Sequence, residues 1–425
     1  MKFSKDSLKK FLKVLGPGFI TGASDDDPSG IATYSQTGAR FGYGQLWLAS
    51  FSFPFQAVIQ EICGRIGMVT GKGLAGVIRK NYAGRVLYIA VFLLLVANTI
   101  NIGADLGAMA SAGQLVLRLP FTILLLFMTV ATLVLEVFVS YKVYAKFLKY
   151  LTFALLAYLV TAFIVKQDWG KIFQATFIPT FSFNKEYLMN IVAVLGTTIS
   201  PYLFFWQAGE EVEEEVANKK LQQMGTGIPQ ITKRDIRTMR LDTVAGMFFS
   251  NLVMWFIIIT AGSTLFTGNP VNIQTADQAA LALKPLAGDF AFILFAIGII
   301  GTGFLAVPIL AGSASYAFSE AFGWKEGLYR KFTQAHGFYA VIIVATLIGL
   351  LVNFTPIKPF QMLYYTAIIN GICAPPLMVL IMLIGNNQKI MGNYVNSFLS
   401  NLFGWTITVI MTLAALALLY TLIFS

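Results

Sequence analysis

Long apolar stretches dominate this sequence and limit its fold more than any other feature. A helix of about 20 apolar residues crosses the hydrocarbon core of a membrane with every backbone polar group hydrogen-bonded internally. Hydrophobic residues make up 57% of the 425-residue chain, which is too many for a water-soluble protein with a polar exterior. The sequence therefore predicts an all-α integral membrane protein with about 11 transmembrane helices. These helices are expected over residues 13–39, 46–68, 86–117, 121–140, 146–166, 188–215, 238–264, 287–320, 335–353, 359–385 and 402–424.

The cationic residues predict which side of the membrane each loop faces. Lys and Arg are enriched in the cytosolic loops of membrane proteins. With the N-terminus placed in the cytosol, all but seven of the 30 Lys and Arg residues fall on the cytosolic side. We therefore expect a multi-pass protein of the cell membrane whose N-terminus is cytosolic and whose C-terminus lies outside. The seven exceptions are Arg40, Arg118, Lys166, Lys171, Lys185, Lys284 and Lys358.

Charge and cysteine usage narrow the range of partners. The net charge of +10 is spread through short loops instead of being gathered on one face, so we expect a lipid bilayer and no nucleic acid as partner. Cys63 and Cys373 lie inside predicted helices without a CxxC spacing, so neither a disulfide framework nor a zinc site is indicated. No cofactor is expected. A monomer is the first expectation for the oligomeric state, and other assemblies stay open.

Two predicted helices are interrupted near their middle by residues that a membrane helix avoids. The first contains Ser-Asp-Asp-Asp-Pro-Ser-Gly at 24–30, and the sixth contains Gly-Thr-Thr-Ile-Ser-Pro at 196–201. Because the two lie five helices apart in the chain, an odd number, the second copy must cross the membrane in the opposite direction. This is typical of a LeuT-like fold, in which two inverted five-helix repeats bring broken helices 1 and 6 together at the midplane. We therefore expect one transmembrane domain over 1–425, with repeats at about 13–166 and 188–385 and an extra helix at about 402–424.

The first interruption carries three consecutive carboxylates, Asp25, Asp26 and Asp27. Each would cost about 3 kcal/mol in the hydrocarbon core on insertion scales if nothing compensated its charge. A proline at a helix break leaves carbonyl groups free, and the C-terminal end of a half-helix carries partial negative charge, so the break favours a cation. We expect Asp27 to be the principal ligand of a divalent metal cation. The alternative is a water-filled vestibule in which the triplet only solvates a helix end.

Two segments of the chain resemble the NRAMP family of divalent-metal transporters. Residues 27–30, Asp-Pro-Ser-Gly, stand where that family carries Asp-Pro-Gly-Asn, and residues 60–75 are similar to its Gln-Glu-Leu-x-x-Arg-Leu-Gly-x-Val-Thr-Gly-Lys-x-Leu-Ala signature. The resemblance implies a secondary transporter or facilitator that moves a divalent metal cation by alternating access. Within the second segment, Glu61 and Arg65 are expected to form a structural ion pair at the cytosolic end of helix 2.

The chain departs from this family at two of the metal ligands. Gly30 stands at the position of the motif's Asn, and Ser-Pro-Tyr at 200–202 replaces the family's Met-Pro-His. The thioether that favours soft transition metals is therefore missing, and oxygen ligands suit a hard ion such as Mg²⁺ or Mn²⁺. In this respect the chain resembles the NRAMP-related magnesium-transporter branch. For Ser200 the alternative is a small residue at a helix kink. The expected metal-site residues are Asp27, Asp26, Gly30, Thr197, through a freed carbonyl, and Ser200.

The residues that would couple transport to protons in that family are also changed. The family places two His residues on the second half of helix 6 and a Glu on helix 3, where this chain has Tyr202, Gln207 and Ala108. Obligatory proton coupling is therefore not expected. Asp105 remains on helix 3, where it is either a structural acid or a proton acceptor. Glu210 and Glu211 on helix 6 form either an acidic exit vestibule or a solvated helix end. The residues expected around the site or along the pathway are Asp25, Tyr202, Gln207, Glu210, Glu211, Asp105 and Asn370.

The main alternative is a LeuT-fold transporter of a non-metal solute such as an amino acid, with or without sodium coupling. The carboxylate of an amino acid would have to bind at the helix 1 break, where three aspartates repel it. Ser313 and Ser315 on helix 8 are the candidates for a sodium site. An enzyme is not expected, because the sequence has no Cys–His or Ser–His pairing and no phosphate-binding loop.

Overall fold

The computed structural model describes residues 16–139, 152–182, 184–266 and 268–424, and within these ranges it contains helices and no strand. The all-helical prediction is therefore confirmed. The helices α1 to α9 are Pro17–Asp25, Pro28–Phe41, Trp47–Thr70, Leu74–Asn81, Gly84–Leu117, Phe121–Phe138, Leu156–Ile164, Trp169–Phe177 and Lys185–Thr198. The helices α10 to α18 are Pro201–Ala217, Lys233–Thr264, Ala276–Ala280, Lys284–Ala287, Ala291–Phe322, His336–Val352, Pro359–Gly385, Gln388–Met391 and Phe398–Phe424. Short 3-10 turns are Thr152–Leu155, Leu281–Leu283, Gly288–Phe290, Phe332–Gln334 and Gly392–Tyr394.

Seven helical stretches of the described chain are each long and apolar enough to cross a membrane. Three other predicted spans, the first, second and ninth, fall short of that length or apolarity. The first is broken into α1 and α2, the second, α3, carries Glu61 and Arg65, and α15 has only 17 residues. The seven stretches are Gly84–Leu117, Phe121–Phe138, Lys185–Ala217, Lys233–Thr264, Ala276–Phe322, Pro359–Gly385 and Phe398–Ile423.

Where the residues are described, the predicted helix boundaries hold to within a few residues. The start of the first predicted helix at 13–15 and of the fifth at 146–151 lie outside the described residues. What the structure describes of the fifth helix is the turn Thr152–Leu155 followed by α7. Five short helices were not predicted, because each has only four to nine residues: α4, α8, α12, α13 and α17.

Both breaks are built in the same way, with two non-helical residues followed by a proline that begins the next helix. Between α1 and α2 the two residues are Asp26, with φ/ψ of −84°/45°, and Asp27, at −65°/171°. Between α9 and α10 they are Ile199, at −116°/60°, and Ser200, at −82°/139°. Proline has no N–H to donate to the preceding turn but is well suited to the first position of a helix. The two predicted interruptions are therefore confirmed.

Close helix packing places the two breaks against each other. α2 packs on α11 and α10 packs on α3, and glycine permits both approaches. A Cβ at Gly38 would lie 2.5 Å from the carbonyl oxygen of Ile258, and a Cβ at Gly67 would collide with the carbonyl of Ala208. Small residues at such crossings are typical of helix packing in membranes. The pairing of α2 with α11 and of α10 with α3 is the relationship that two inverted repeats require.

Candidate functional site

The three aspartates lie at the break between α1 and α2, in the interior of the helix bundle. Asp25, Asp26 and Asp27 are 0%, 3% and 1% exposed, so protein closes over all three side chains. Buried carboxylates need compensation by hydrogen bonds or by a cation. The side chains diverge from this point, and Asp27 makes a different set of contacts from Asp25.

Asp27 is the N-cap of α2. Its Oδ1 accepts the backbone N–H of Gly30 at 2.6 Å and the hydroxyl of Ser29 at 2.8 Å. The first backbone N–H groups of a helix have no partner within the helix, and a carboxylate at this position satisfies them and meets the positive end of the helix dipole. The cap fixes the orientation of the carboxylate that the sequence predicts to be the principal metal ligand.

The second oxygen of Asp27 connects it to α5 and α16 through Asn101. The Nδ2 of Asn101 donates to Asp27 Oδ2 at 3.2 Å and to Asp105 Oδ2 at 3.0 Å. In turn, the Nδ2 of Asn370 donates to Asn101 Oδ1 at 3.0 Å. Two predicted pathway residues, Asp105 and Asn370, are therefore brought next to Asp27. The sequence analysis did not include Asn101 in the site, although its spacing of four residues from Asp105 places both on one face of a helix.

Asp25 lies in a second polar cluster, between α1, α3 and α11. Its Oδ2 accepts hydrogen bonds from Gln56 Nε2 at 2.8 Å and from Ser250 Oγ at 2.5 Å. Ser250 also lies 3.5 Å from Asp26 Oδ1, and Asn251 donates to the side-chain oxygen of Gln56. None of these partners was predicted, because each stands alone in its own apolar helix. The cluster satisfies one carboxylate oxygen of Asp25, whereas the other, Oδ1, is buried and has no hydrogen-bond partner among the described residues.

The break between α9 and α10 meets the Asp27 cap through two hydroxyl groups. The Oγ of Ser29, which donates to Asp27, lies 3.3 Å from Thr197 Oγ1. The hydroxyl of Ser200 donates to the carbonyls of Gly196, at 2.6 Å, and Thr197, at 3.0 Å. The proline break frees the Thr197 carbonyl from the helix, and the Ser200 hydroxyl donates to it. One lone pair of the carbonyl oxygen remains.

Gly30 lies beside the Asp27 carboxylate, and Tyr202 links the two breaks. A Cβ at Gly30 would lie 3.0 Å from the carbonyl oxygen of Asp25 and 3.4 Å from Asp27 Oδ1, so the position has little room for a side chain. The hydroxyl of Tyr202 donates to the carbonyl of Ser24 at 3.0 Å, which joins the start of α10 to the last turn of α1. Both residues therefore lie at the site: Gly30 leaves little room beside the Asp27 carboxylate, and Tyr202 connects α10 to α1.

The acidic face of α10 lies further from the aspartates. At 1.5 Å per residue, Gln207, Glu210 and Glu211 are about 9 to 15 Å along the helix from its start at Pro201. Gln207 Nε2 donates to Glu211 Oε1 at 2.8 Å, and all three side chains are buried. The expectation of a solvated helix end is therefore not met, since these acids are enclosed.

Ion pairs and a helix cap connect α11 to α3 and to the start of α1. Glu61 pairs with Arg65 at 3.0 Å, as predicted, and also with Arg240 at 2.8 Å. Asp242 accepts the backbone N–H groups of Gly16, at 2.9 Å, and Gly18, at 2.8 Å, and so caps α1 from α11. The cap by Asp242 was not predicted, because nothing in the sequence relates residue 242 to residue 16. These contacts fix α1, the half-helix that leads to Asp25.

The serines considered for sodium are engaged in helix contacts. Ser313 accepts from Asn98 at 2.7 Å and donates to the carbonyl of Leu310, whereas Ser315 donates to the carbonyl of Phe338 at 2.5 Å. The two hydroxyls therefore serve different neighbours and do not form a common site.

The donor atoms around Asp27 limit how a metal can bind. In the part of the chain that the structure describes, no three His, Cys, Asp or Glu side chains converge closely enough to hold a metal ion. A cation at Asp27 would therefore have at most one further carboxylate and would take its other ligands from hydroxyl, amide and carbonyl oxygens and from water. Oxygen-rich, partly hydrated coordination is the kind that Mg²⁺, Ca²⁺ and Mn²⁺ accept.

Sequence comparisons identify relatives of the chain among known proteins. A sequence model of the family described as "Natural resistance-associated macrophage protein-like" matches residues 18–421. The divalent metal cation transporter MntH of Caldanaerobacter subterraneus subsp. tengcongensis is 25% identical over 406 residues, which are 93% of this chain and 90% of the relative. The protein of the same name from Verminephrobacter eiseniae is 26% identical over 421 residues, covering 96% of this chain and 87% of the relative.

Two solved structures show the same fold. A crystal structure of the manganese transporter of Eremococcus coleocola superposes with a TM-score of 0.75 at 17% identity and covers 98% of this chain and 88% of that one. Mhp1, a nucleobase-cation-symport-1 family transporter, superposes with a TM-score of 0.57 at 13% identity, covering 96% and 91%. The LeuT-like architecture predicted from the two breaks is therefore confirmed. The different solutes named for these two structures also show that the fold alone does not select the solute.

Proposed function

Because the chain belongs to the Nramp family, we propose that it is a secondary transporter or facilitator that moves a divalent metal cation across the membrane by alternating access. The observation that carries this proposal is the buried Asp27 carboxylate at the break between α1 and α2. Curated relatives are named divalent metal cation transporters, and a structural neighbour is a manganese transporter. An acid buried at such a break needs a cation or a dense set of donors, and broken helices that meet at the midplane are typical of ion sites in transporters.

The proposed cargo is a hard ion, Mg²⁺ or Mn²⁺. The side chains that contact the Asp27 carboxylate are Ser29 and Asn101, and Thr197 lies behind Ser29. Ser200 occupies the position at which a thioether would favour softer metals. Oxygen ligands together with water support a cation that keeps part of its hydration shell.

The proposed transport does not require a proton to move with the ion. A divalent cation on Asp27 favours the ionised carboxylate, so Asp27 cannot carry a proton while the ion is bound. Asp105 is connected to Asp27 by the Asn101 amide, which donates to both carboxylates. The Gln207 and Glu211 side chains bond to each other and lie about two turns or more along α10 from its start at Pro201. We also propose a cytosolic N-terminus and an external C-terminus, from the distribution of Lys and Arg.

Flux through the purified protein in liposomes tests the proposed function. The vesicles contain an indicator of divalent cations, and Mg²⁺, Mn²⁺, Ca²⁺ and Cd²⁺ are added outside in turn. We expect saturable influx of Mg²⁺ or Mn²⁺ that is absent from protein-free vesicles. Uptake of radiolabelled amino acids under a sodium gradient, without any divalent-cation flux, would instead support the solute-transporter alternative and overturn the proposal.

A further inference from the structure

A cavity of about 480 Å³ opens at one end of the bundle, away from the aspartates. Its walls come from three connections: the turn and helix after α3, the loop after α10 and the loop after α14, including Lys72, Met224 and Trp324. This is the end that we propose to face the cytosol. None of the residues at the two helix breaks lines the cavity, so the ion site does not explain it.

The cavity wall is strongly cationic. Where the partners of these cations are described, they are neutral carbonyl oxygens: Lys72 donates to Gly225 at 2.6 Å, and Arg79 donates to the carbonyl of Glu320 at 3.3 Å. Within the described residues, no carboxylate oxygen lies within ion-pairing distance of any of these cations. Five cations face two carboxylates, Glu320 and Glu326, along this wall, so it carries an excess of positive charge. The cationic side chains are Lys72, Arg79, Lys80, Lys325 and Arg330.

Two buried carboxylates at the cavity are compatible with an anionic ligand. Glu320 accepts the backbone N–H groups of Gly73, at 2.5 Å, and Gly76, at 2.9 Å, so its charge is met by the start of α4. Glu326 is buried, and its Oε2 has no hydrogen-bond partner in the described part of the chain. Burial, with Glu320 and Glu213 nearby, raises the pKa of Glu326 well above its ordinary value, although Lys72 and Arg330 oppose this. A protonated carboxyl group at this position can donate a hydrogen bond to an anionic oxygen.

Exposed aromatic rings lie along one edge of the cavity. Trp324, which lines it, is 45% exposed and packs against Phe322, with ring centroids 5.9 Å apart. Phe322 is 47% exposed and lies 6.0 Å from the ring of Tyr88, which is 53% exposed. Trp and Tyr are enriched where a protein surface passes from hydrocarbon to headgroups. An edge of exposed aromatic rings with a cationic wall beside it is typical of a surface at the level of the lipid headgroups.

From these observations we propose that the cavity binds the phosphate headgroup of an anionic phospholipid. Arg79 and Lys325 contact the phosphate oxygens, and the acyl chains run along the surface of Phe322 and Tyr88. Arginine is suited to a phosphate through two parallel N–H donors, and a cationic pocket at the cytosolic side attracts the anionic lipids of that leaflet. The inference goes beyond the transport function and depends only on the proposed orientation of the chain.

Native mass spectrometry of the detergent-purified protein, with equal amounts of phosphatidylglycerol and phosphatidylcholine added, tests this site. We expect the wild-type protein to retain phosphatidylglycerol preferentially. In the double variant Arg79→Gln with Lys325→Gln the preference should fall on the order of 30-fold, because each basic residue near an anionic lipid contributes about fivefold. The matched control, Lys185→Gln with Lys284→Gln, removes two exposed cations outside the cavity and should keep the preference.

A charge-conserving variant and free phosphate complete the test. Arg79→Lys with Lys325→Arg should keep the lipid preference, which separates a loss of charge from a loss of folding. Inorganic phosphate at millimolar concentration should not displace the lipid, because it lacks the acyl chains. An unchanged preference in the cavity variant, an equal loss in the control variant, or full displacement by free phosphate would each overturn the proposal.

Discussion

Asp27 and Asp105 share a single hydrogen-bond donor, the Nδ2 of Asn101, at 3.2 and 3.0 Å. Two buried carboxylates repel each other, and the common amide is the described group that moderates this repulsion directly. A change of charge at Asp27 is therefore transmitted to Asp105 through one side chain. Asn101 is consequently a positioning residue for the proposed ion ligand.

Replacing Asn101 with Ala should weaken the response of the protein to metal. The two carboxylates lose their shared donor, which costs about 1.5–3 kcal/mol for a hydrogen bond to a charged group, and the orientation of Asp27 is no longer fixed. Thermal unfolding with and without Mn²⁺ measures the effect. Asn98→Ala, one turn away on α5, removes hydrogen bonds to Leu310 and Ser313 and should lower stability without changing the metal-induced shift. A full metal-induced shift in Asn101→Ala would contradict the role given to Asn101.

Ser200→Met should increase the affinity for Cd²⁺ and Mn²⁺ relative to Mg²⁺. The substitution places a thioether at the break and also removes the hydrogen bonds to Gly196 and Thr197, at a cost of about 1 kcal/mol each. Isothermal titration calorimetry with each metal, alongside Ser200→Ala as the control for the lost hydrogen bonds, measures this. Adding Gly30→Asn is expected to require a shift at the break, because a Cβ at this position would lie 3.0 Å from the Asp25 carbonyl. Tight Cd²⁺ binding by the unchanged protein would contradict the predicted preference for hard ions.

Ion uptake should proceed without acidification of the vesicle interior. The positions that would relay a proton are Tyr202, Gln207 and Ala108 in this chain, and Glu210 and Glu211 are the acids that lie nearest along α10. A pH-sensitive dye inside liposomes, read together with a metal indicator, measures both fluxes at once. Metal-dependent proton influx that disappears in Glu210→Gln with Glu211→Gln would show that these two acids form a relay and that the prediction is wrong.

The stability of the protein should decrease as the pH rises above the ordinary range of a glutamate, partly because of Glu326. Its pKa is raised in the folded protein, so the folded state holds this proton at pH values where the unfolded chain has released it. Stability is then lost with increasing pH, by up to about 1.4 kcal/mol per pH unit, from near 4.5 until the pH passes the folded pKa. Glu326→Gln should reduce this slope in thermal unfolding between pH 4.5 and 8. Glu186→Gln, an exposed control at the Arg40 ion pair, should leave it unchanged; equal slopes in Glu326→Gln and the wild type would contradict the assignment.

The sequence located the helix breaks but not the partners that complete them. Asp27-Pro28 and Ser200-Pro201 were recognisable because proline and acidic residues are unfavourable in the middle of an apolar helix. Asp27 and Asn101 are 74 positions apart in the sequence. Their contact depends on how α5 is rotated about its axis, which is determined by packing against the other helices. The cap of α1 by Asp242 and the contacts of Asp25 with Gln56 and Ser250 could not be predicted for the same reason. A single polar residue in an apolar helix does not indicate which neighbouring helix it faces.

The most direct measurement is the Mn²⁺ and Mg²⁺ flux of Asp27→Asn in liposomes. Asparagine also caps helices well, so the variant can keep the hydrogen bond to Gly30 and remain folded while it loses the negative charge. Asp27→Ala removes both the charge and the cap and should be about 0.5–2 kcal/mol less stable. Asp277→Asn, at an exposed site on α12, is the matched control. We predict background flux for Asp27→Asn and wild-type flux for Asp277→Asn; wild-type flux through folded Asp27→Asn would contradict the assignment of Asp27 as the metal ligand.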